Sequence, residues 1–189
     1  MGSITNLFTR NKKESRGAKN HSKRIRELCV FAMLGTLMFC SKIVMELLPN
    51  IHLLGMFVMV YTIIFRKKAL IPLYIFVIIT GLYAGFAPWW VPYLYIWTVL
   101  WAVTMLLPKR MPTKIAPIVY MTVCGLHGLA YGSMYSVFQA FAYGFNFKQT
   151  LAWIAAGFPW DVTHSIGNFI AGILIYPLAK ALLRLEKQY

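Results

Sequence analysis

Acidic side chains are scarce in this chain. Five Asp and Glu residues stand against 19 Lys and Arg residues among 189, which gives a formal net charge of +14. An excess of this size is typical of nucleic-acid-binding proteins, and also of membrane proteins with basic cytosolic segments. Here the basic residues lie at the edges of long apolar blocks. This placement favours a membrane protein and argues against a nucleic-acid partner.

Common catalytic and metal-binding signatures are also missing. The sequence contains no G-x-x-x-x-G-K-[ST], H-E-x-x-H or G-x-S-x-G motif, so it has no P-loop and no common metalloprotease or hydrolase site. Its three cysteines, Cys29, Cys40 and Cys124, form no C-x-x-C pair. Asp161 and His164 at i, i+3 give only two metal ligands. We therefore expect neither an enzyme nor a permanently bound cofactor or metal.

Apolar residues dominate what is present. Hydrophobic residues make up 59% of the chain and the mean hydropathy is +0.62, whereas a soluble domain is about 45–50% apolar. They form six blocks, and a membrane-spanning helix needs roughly 20 residues. We predict an all-α, polytopic bundle of six transmembrane helices in one domain, residues 27–185, after a basic, disordered tail, residues 1–26. The blocks cover residues 28–48, 52–65, 69–86, 91–107, 115–143 and 160–183.

The positions of the basic residues predict the orientation of this bundle. They cluster in the N-terminal tail, at residues 66–68, at residues 108–114 and after the last block, whereas the alternate connections carry only Lys148. Because basic segments stay in the cytosol, we expect both termini there and residues 87–92 and 144–159 outside. The fifth block is rich in glycine, and we expect it to pack closely on a neighbour or to break.

The sixth block contains an unusual polar series. Asp161, His164 and Asn168 follow one another at helical spacing, and polar groups entering a span are costly unless they serve a function. We interpret them as part of a ligand site near the outer helix ends. The alternative is a helix cap at Asp161 beside an interfacial aromatic belt, and we interpret His127 as a packed, hydrogen-bonded histidine. The predicted substrate-binding residues are Asp161, His164, Asn168, Trp89, Trp90, Tyr93, Tyr131 and Gln139.

The first block carries a strip of small residues. Ala32, Thr36 and Cys40 recur every four residues with Gly35 beside them, and such strips let another helix approach closely. We predict a partner-docking face at these four positions. Packing inside the bundle is the alternative.

Taken together, these features resemble the substrate-binding S-components of energy-coupling factor (ECF) vitamin transporters. That family commonly has an A-x-x-x-A motif in helix one, which docks onto the transmembrane coupling subunit; here the matching positions are Ala32 and Thr36. The resemblance covers roughly residues 25–185. The stretches "LLPNIHLLGMF" and "GFPWDVTHSIGNFIAGILI" are most similar to the subgroup that includes the cobalamin-specific proteins.

The resemblance implies a function without chemistry on the ligand. An S-component in the bacterial plasma membrane captures a vitamin outside and delivers it inward after docking on the coupling subunit, and two cytosolic ATPase subunits supply the energy. Cobalamin is the expected vitamin; pantothenate, a pyrimidine precursor and riboflavin stay open. A different class of function is a stand-alone proton-coupled carrier with Glu46, Asp161 and His164 as its relay.

Overall fold

The computed structural model describes residues 2–47, 51–109 and 111–186, and these residues form helices with no strand among them. The predicted all-α class is therefore confirmed. The helices are α1 (Gly2–Met45), α2 (Leu54–Phe65), α3 (Leu70–Ala84), α4 (Tyr93–Leu106), α5 (Ala116–Leu129), α6 (Tyr131–Tyr143), α7 (Phe147–Ala171) and α8 (Ile175–Glu186). Short 3-10 turns lie at Arg66–Ala69, Pro88–Trp90 and Gly172–Leu174.

Three stretches are long and apolar enough to cross a membrane by length and composition. They are His21–Met45, Pro88–Leu106 and Phe147–Arg184. The remaining helices α2, α3, α5 and α6 have 12, 15, 14 and 13 residues, fewer than the roughly 20 of a straight span. The helices thus indicate a membrane-associated protein.

The helix boundaries differ from the predicted blocks at both ends of the chain. Residues 2–26, predicted as part of a disordered tail, form the first part of α1. This stretch contains no proline and is rich in Lys and Arg, which are good helix formers. The sixth block also begins earlier, because α7 starts at Phe147 and not near Trp160.

The early start of α7 has a local cause. Asn146 accepts a hydrogen bond from the backbone N–H of Gln149, and the Gln149 side chain accepts one from the backbone N–H of Asn146, which together form a capping box. Gly144 ends α6 in the left-handed conformation with φ of 67°. Residues 147–159 of the predicted outer connection are therefore helical, and Pro159 lies inside α7.

The fifth block both breaks and packs closely, as its glycines predicted. It divides at Ala130, whose φ and ψ are −84° and −4°, into α5 and α6. A Cβ atom built at Gly128 would lie 2.9 Å from the His164 carbonyl oxygen, and one at Gly125 would lie 3.2 Å from Cβ of Phe169. The backbones of α5 and α7 therefore approach more closely than larger residues allow.

Basic side chains from several elements lie at one end of the bundle. The Arg66 guanidinium donates to the Met105 carbonyl oxygen at 2.8 Å, and the Lys68 ammonium pairs with Glu27. The start of the apolar part of α1, the connection after α2 and the end of α4 therefore lie together. We call this the basic end. The opposite end, which holds Trp89 and Trp90, is called the aromatic end.

We expect the stability of the fold to depend on glycine at the contact between α5 and α7. Gly128→Ala places a methyl group 2.9 Å from Asn168 Nδ2 and from backbone atoms of α7, which should lower the free energy of unfolding by about 1–3 kcal/mol. Thermal unfolding in detergent measures this loss. The matched control is Gly157→Ala, on the facing helix α7, whose added Cβ meets nothing within 4 Å and which should be neutral or stabilising by up to about 1 kcal/mol. Equal melting temperatures for the two variants would contradict the tight contact.

Candidate functional site

The polar series of the sixth block lies on one buried face of α7. Asp161, His164 and Asn168 are 5%, 3% and 0% exposed. Their spacing of three and four residues places them one turn apart, along the side that packs against α5 and α6. What each of them contacts is different.

Asp161 stabilises the start of α6. Its Oδ1 atom accepts a hydrogen bond of 2.9 Å from the backbone N–H of Gly132, in the first turn of α6. The sequence placed Asp161 in the first turn of its own helix, but it lies well inside α7. The carboxylate does interact favourably with a helix N-terminus, but that helix is the neighbouring α6 and not α7. Glycine is required at position 132, because an added Cβ would lie 2.7 Å from this Oδ1 atom.

His164 and Asn168 belong to a group of polar side chains gathered from four parts of the chain. The His164 ring lies 4.4 Å from the ring of His52, between centroids, and His52 lies 5.8 Å from Trp97. Trp97 in turn lies 5.7 Å from His127. We call His52, Trp97, His127, His164 and Asn168 the polar cluster. Its members come from the connection before α2 and from helices α4, α5 and α7.

The polar cluster contains buried hydrogen-bonding atoms without partners. Six such atoms make no hydrogen bond to the part of the chain that the structure describes. They are His52 Nδ1, Trp97 Nε1, His127 Nδ1, His164 Nε2, Asn168 Nδ2 and Asn168 Oδ1. Each buried, unpaired polar group costs about 1–3 kcal/mol, so six in one place make the polar cluster the candidate binding site.

Small residues bring this cluster together around Asn168. Added Cβ atoms at Gly55 and Gly128 would lie 3.4 Å and 2.9 Å from Asn168 Nδ2. Asn168 therefore sits between α2 and α5, and a side chain at either glycine would contact its amide. Ser165, next to His164, donates a 2.9 Å hydrogen bond to the Gly125 carbonyl oxygen and fixes α7 against α5.

Aromatic side chains extend from the cluster to the aromatic end. The Tyr131 ring lies 4.7 Å from His164, and Tyr93 lies 6.0 Å from Trp97. Trp89 lies 5.6 Å from Tyr93. Tyr131, Tyr93 and Trp89 are thus connected to the cluster by successive ring contacts.

Two other predicted residues lie apart from the polar cluster. Trp90 donates to the Val77 carbonyl oxygen at 2.8 Å and packs edge to face on Phe86, which is a contact between α3 and the connection that follows it. Gln139 is half-buried on α6, about two turns beyond Tyr131. Neither takes part in the ring contacts that surround His164.

Sequence reasoning missed part of the polar cluster. Trp97 and His52 were not among the predicted binding residues, and His127 was assigned to packing. His127 does bond through Nε2 to the Ile96 carbonyl oxygen at 3.0 Å, yet its Nδ1 atom has no partner among the described residues. A signal was present for His52, the first residue of a block that is otherwise almost wholly apolar.

The polar cluster contains three histidines, and their arrangement decides whether they could hold a metal ion. Among the described residues, no three His, Cys, Asp or Glu side chains are arranged to hold a metal ion. His127 also lines a groove of about 220 Å³ between α4 and the α5–α6 junction, in which all the other lining residues are apolar.

The small-residue strip on α1 separates into two faces. Ala32, Thr36 and Cys40 are exposed, and the Thr36 hydroxyl donates to the Ala32 carbonyl oxygen at 2.9 Å. Gly35 is buried against α3, where an added Cβ would lie 2.6 Å from Ile75. The strip thus combines an outward surface with one position of internal packing.

Comparison of the chain with protein-family models, curated proteins and solved structures gives no match.

We expect removal of the Asp161 carboxylate to weaken the attachment of α6 to α7. Asp161→Ala leaves the Gly132 N–H without its acceptor and should lower the free energy of unfolding by about 1.5–3 kcal/mol. The matched variant Asp161→Asn keeps an acceptor oxygen and should lose less. Thermal unfolding of the two purified variants measures the difference. An alanine variant as stable as the asparagine variant would show that the bond to Gly132 contributes little.

Proposed function

We propose that this chain is the substrate-binding membrane subunit of an ATP-driven uptake transporter of the ECF type, in a bacterial plasma membrane. The polar cluster carries the proposal. A subunit that only binds and releases its cargo needs buried hydrogen-bonding groups within an apolar setting, and the cluster supplies them. In this function the subunit captures a vitamin from outside and docks on a transmembrane coupling subunit. Two cytosolic ATPase subunits then drive delivery inward.

The proposed topology has six spans with both termini in the cytosol. Its support is the basic end, where the connections after α2 and α4 meet, together with the preference of cations for the cytosolic side. In this arrangement α5 and α6 cross as one broken segment. A break at Ala130 is compatible with a membrane interior because the backbone N–H of Ala130 still bonds to Leu126 and its carbonyl still accepts from Met134. The polar cluster then lies toward the outside.

The proposed ligand presents uncharged polar groups to the cluster. The cluster contains no Lys, Arg, Asp or Glu, and the Trp97 indole and the Asn168 amide carry no charge. Neutral donors and acceptors are best matched by amide groups or nitrogen heterocycles, since a charged group would be desolvated without a counter-charge. Cobalamin fits through its peripheral amides and remains the proposed vitamin. A pyrimidine precursor and riboflavin are closer alternatives than pantothenate, which carries a carboxylate.

We expect His164→Ala and Asn168→Ala to weaken ligand binding by about 1–3 kcal/mol, because each removes a partner from a buried ligand group. The measurement is a titration of the purified protein with cobalamin, riboflavin, a pyrimidine precursor and pantothenate. His21→Ala, which changes an exposed histidine near the start of the membrane-crossing part of α1, serves as the control and should bind normally. Unchanged affinity in both cluster variants would show that these side chains serve in packing and do not contact the ligand.

The outward face of α1 is the proposed docking surface for the coupling subunit. Ala32→Leu should abolish co-purification with that subunit and leave ligand binding intact, because the added side chain projects from an exposed position and separates the two helices. Gly35→Leu is the matched internal variant. It should destabilise the isolated protein, since its side chain would overlap Ile75. Retained co-purification of Ala32→Leu would mean that this face contacts lipid.

A stand-alone proton-coupled carrier is the second proposal, and the geometry supports it less. Of its three relay residues, Glu46 is exposed, lies just past the end of α1 and pairs with Lys42 of that helix in a 2.6 Å contact. Asp161 is engaged with α6. Uptake of the ligand by cells that lack the ATPase subunits would favour the carrier over the ECF-type subunit.

A further inference from the structure

A second cavity lies at the basic end of the bundle, apart from the polar cluster. It has a volume of about 410 Å³ and lies between α2, α5, α8 and the connection that follows α4. Three cationic side chains line it: Lys109, Lys180 and Arg184. None of them forms an ion pair with a described residue.

Like charges that share one cavity repel each other, and an anion relieves the repulsion. The three cations come from two separate elements, because Lys109 follows α4 whereas Lys180 and Arg184 lie one turn apart on α8. Their spacing on α8 places both on the same side of that helix. The cavity therefore offers a convergent set of positive charges to a single anionic group.

Apart from Thr113 and the hydroxyl groups of Tyr120 and Tyr176, the rest of the cavity wall is apolar. Ile63 and Leu183 line it, and the ring of Tyr176 lies 6.0 Å from the Lys180 ammonium. Free phosphate would satisfy the cations and leave this apolar wall unused. A molecule with an anionic head and a hydrocarbon chain satisfies both parts of the lining.

We propose that this cavity binds the headgroup and the upper acyl chain of an anionic phospholipid. Its position agrees with such an occupant, because the basic end faces the cytosol in the proposed topology and the cytosolic leaflet is rich in anionic lipids. The inference does not depend on which vitamin the polar cluster binds. It gives α8 a role as the helix that meets the lipid headgroups.

The test compares two lipids on the full-length protein in detergent. Native mass spectrometry counts bound phosphatidylglycerol and bound phosphatidylcholine of the same chain length. We expect phosphatidylglycerol to bind at one saturable site, and Lys109→Gln/Lys180→Gln to weaken it by roughly tenfold for each cation removed, the effect of losing a charge-assisted hydrogen bond. Lys109→Arg/Lys180→Arg keeps both charges and should retain the lipid.

The control removes the same charge from the same end of the molecule. Lys67 and Lys114 are exposed, as the three cavity cations are, but they do not line the cavity. Lys67→Gln/Lys114→Gln should therefore change binding by about twofold at most, since charges that do not contact the bound headgroup are screened by solvent and salt. Equal losses in the two glutamine variants, or equal binding of both lipids, would overturn the proposal. Glycerol phosphate that competes as well as the lipid would identify a soluble phosphate compound as the occupant and would overturn the lipid assignment.

Discussion

The close contact between α5 and α7 is the constraint on which the rest of the structure depends. Gly125 and Gly128 let these helices meet almost backbone to backbone. In the turn just after α7, an added Cβ at Gly172 would lie 2.7 Å from Cα of Met121 on α5. At this separation the side chains of His164 and Asn168 are buried between the helices. A larger side chain at Gly128 would meet the amide of Asn168 and the backbone of α7 at 2.9 Å, so the polar face of α7 could not pack this closely on α5.

This contact also creates an energetic problem. Among the described residues, six buried polar atoms have no hydrogen-bond partner, and at about 1–3 kcal/mol each they oppose folding. Their total is a large share of the roughly 5–15 kcal/mol by which proteins are stable. Surrounding interactions offset part of the cost. The Ser165 hydroxyl ties α7 to α5, and the Asp161 carboxylate ties α7 to α6. A site that is destabilising when its groups are unpaired gains from each hydrogen bond that a ligand supplies, which favours binding over a purely structural role.

Much of the helical arrangement could be predicted from composition. The apolar blocks are helical. The glycine content of the fifth block correctly predicted both its break, which lies at Ala130, and its contact with α7. The start of α7 was missed although its signals were in the sequence: Gly144 is suited to a helix end, and Asn146 with Gln149 forms a capping box. Pro159 occupies the interior of α7, although proline is more common at the start of a helix.

The candidate site could be predicted only in part, for a physical reason. Periodicity reports which residues of one helix share a face, so it placed Asp161, His164 and Asn168 together. It carries no information about which other helix meets that face. That depends on how closely the helices approach, and here the distance is determined by glycines on α5 and on α2, remote in sequence from α7. The same limit applied to α1, where spacing grouped Gly35 with Ala32 and Thr36, but only the contact of Gly35 with α3 separates the inner face from the outer one.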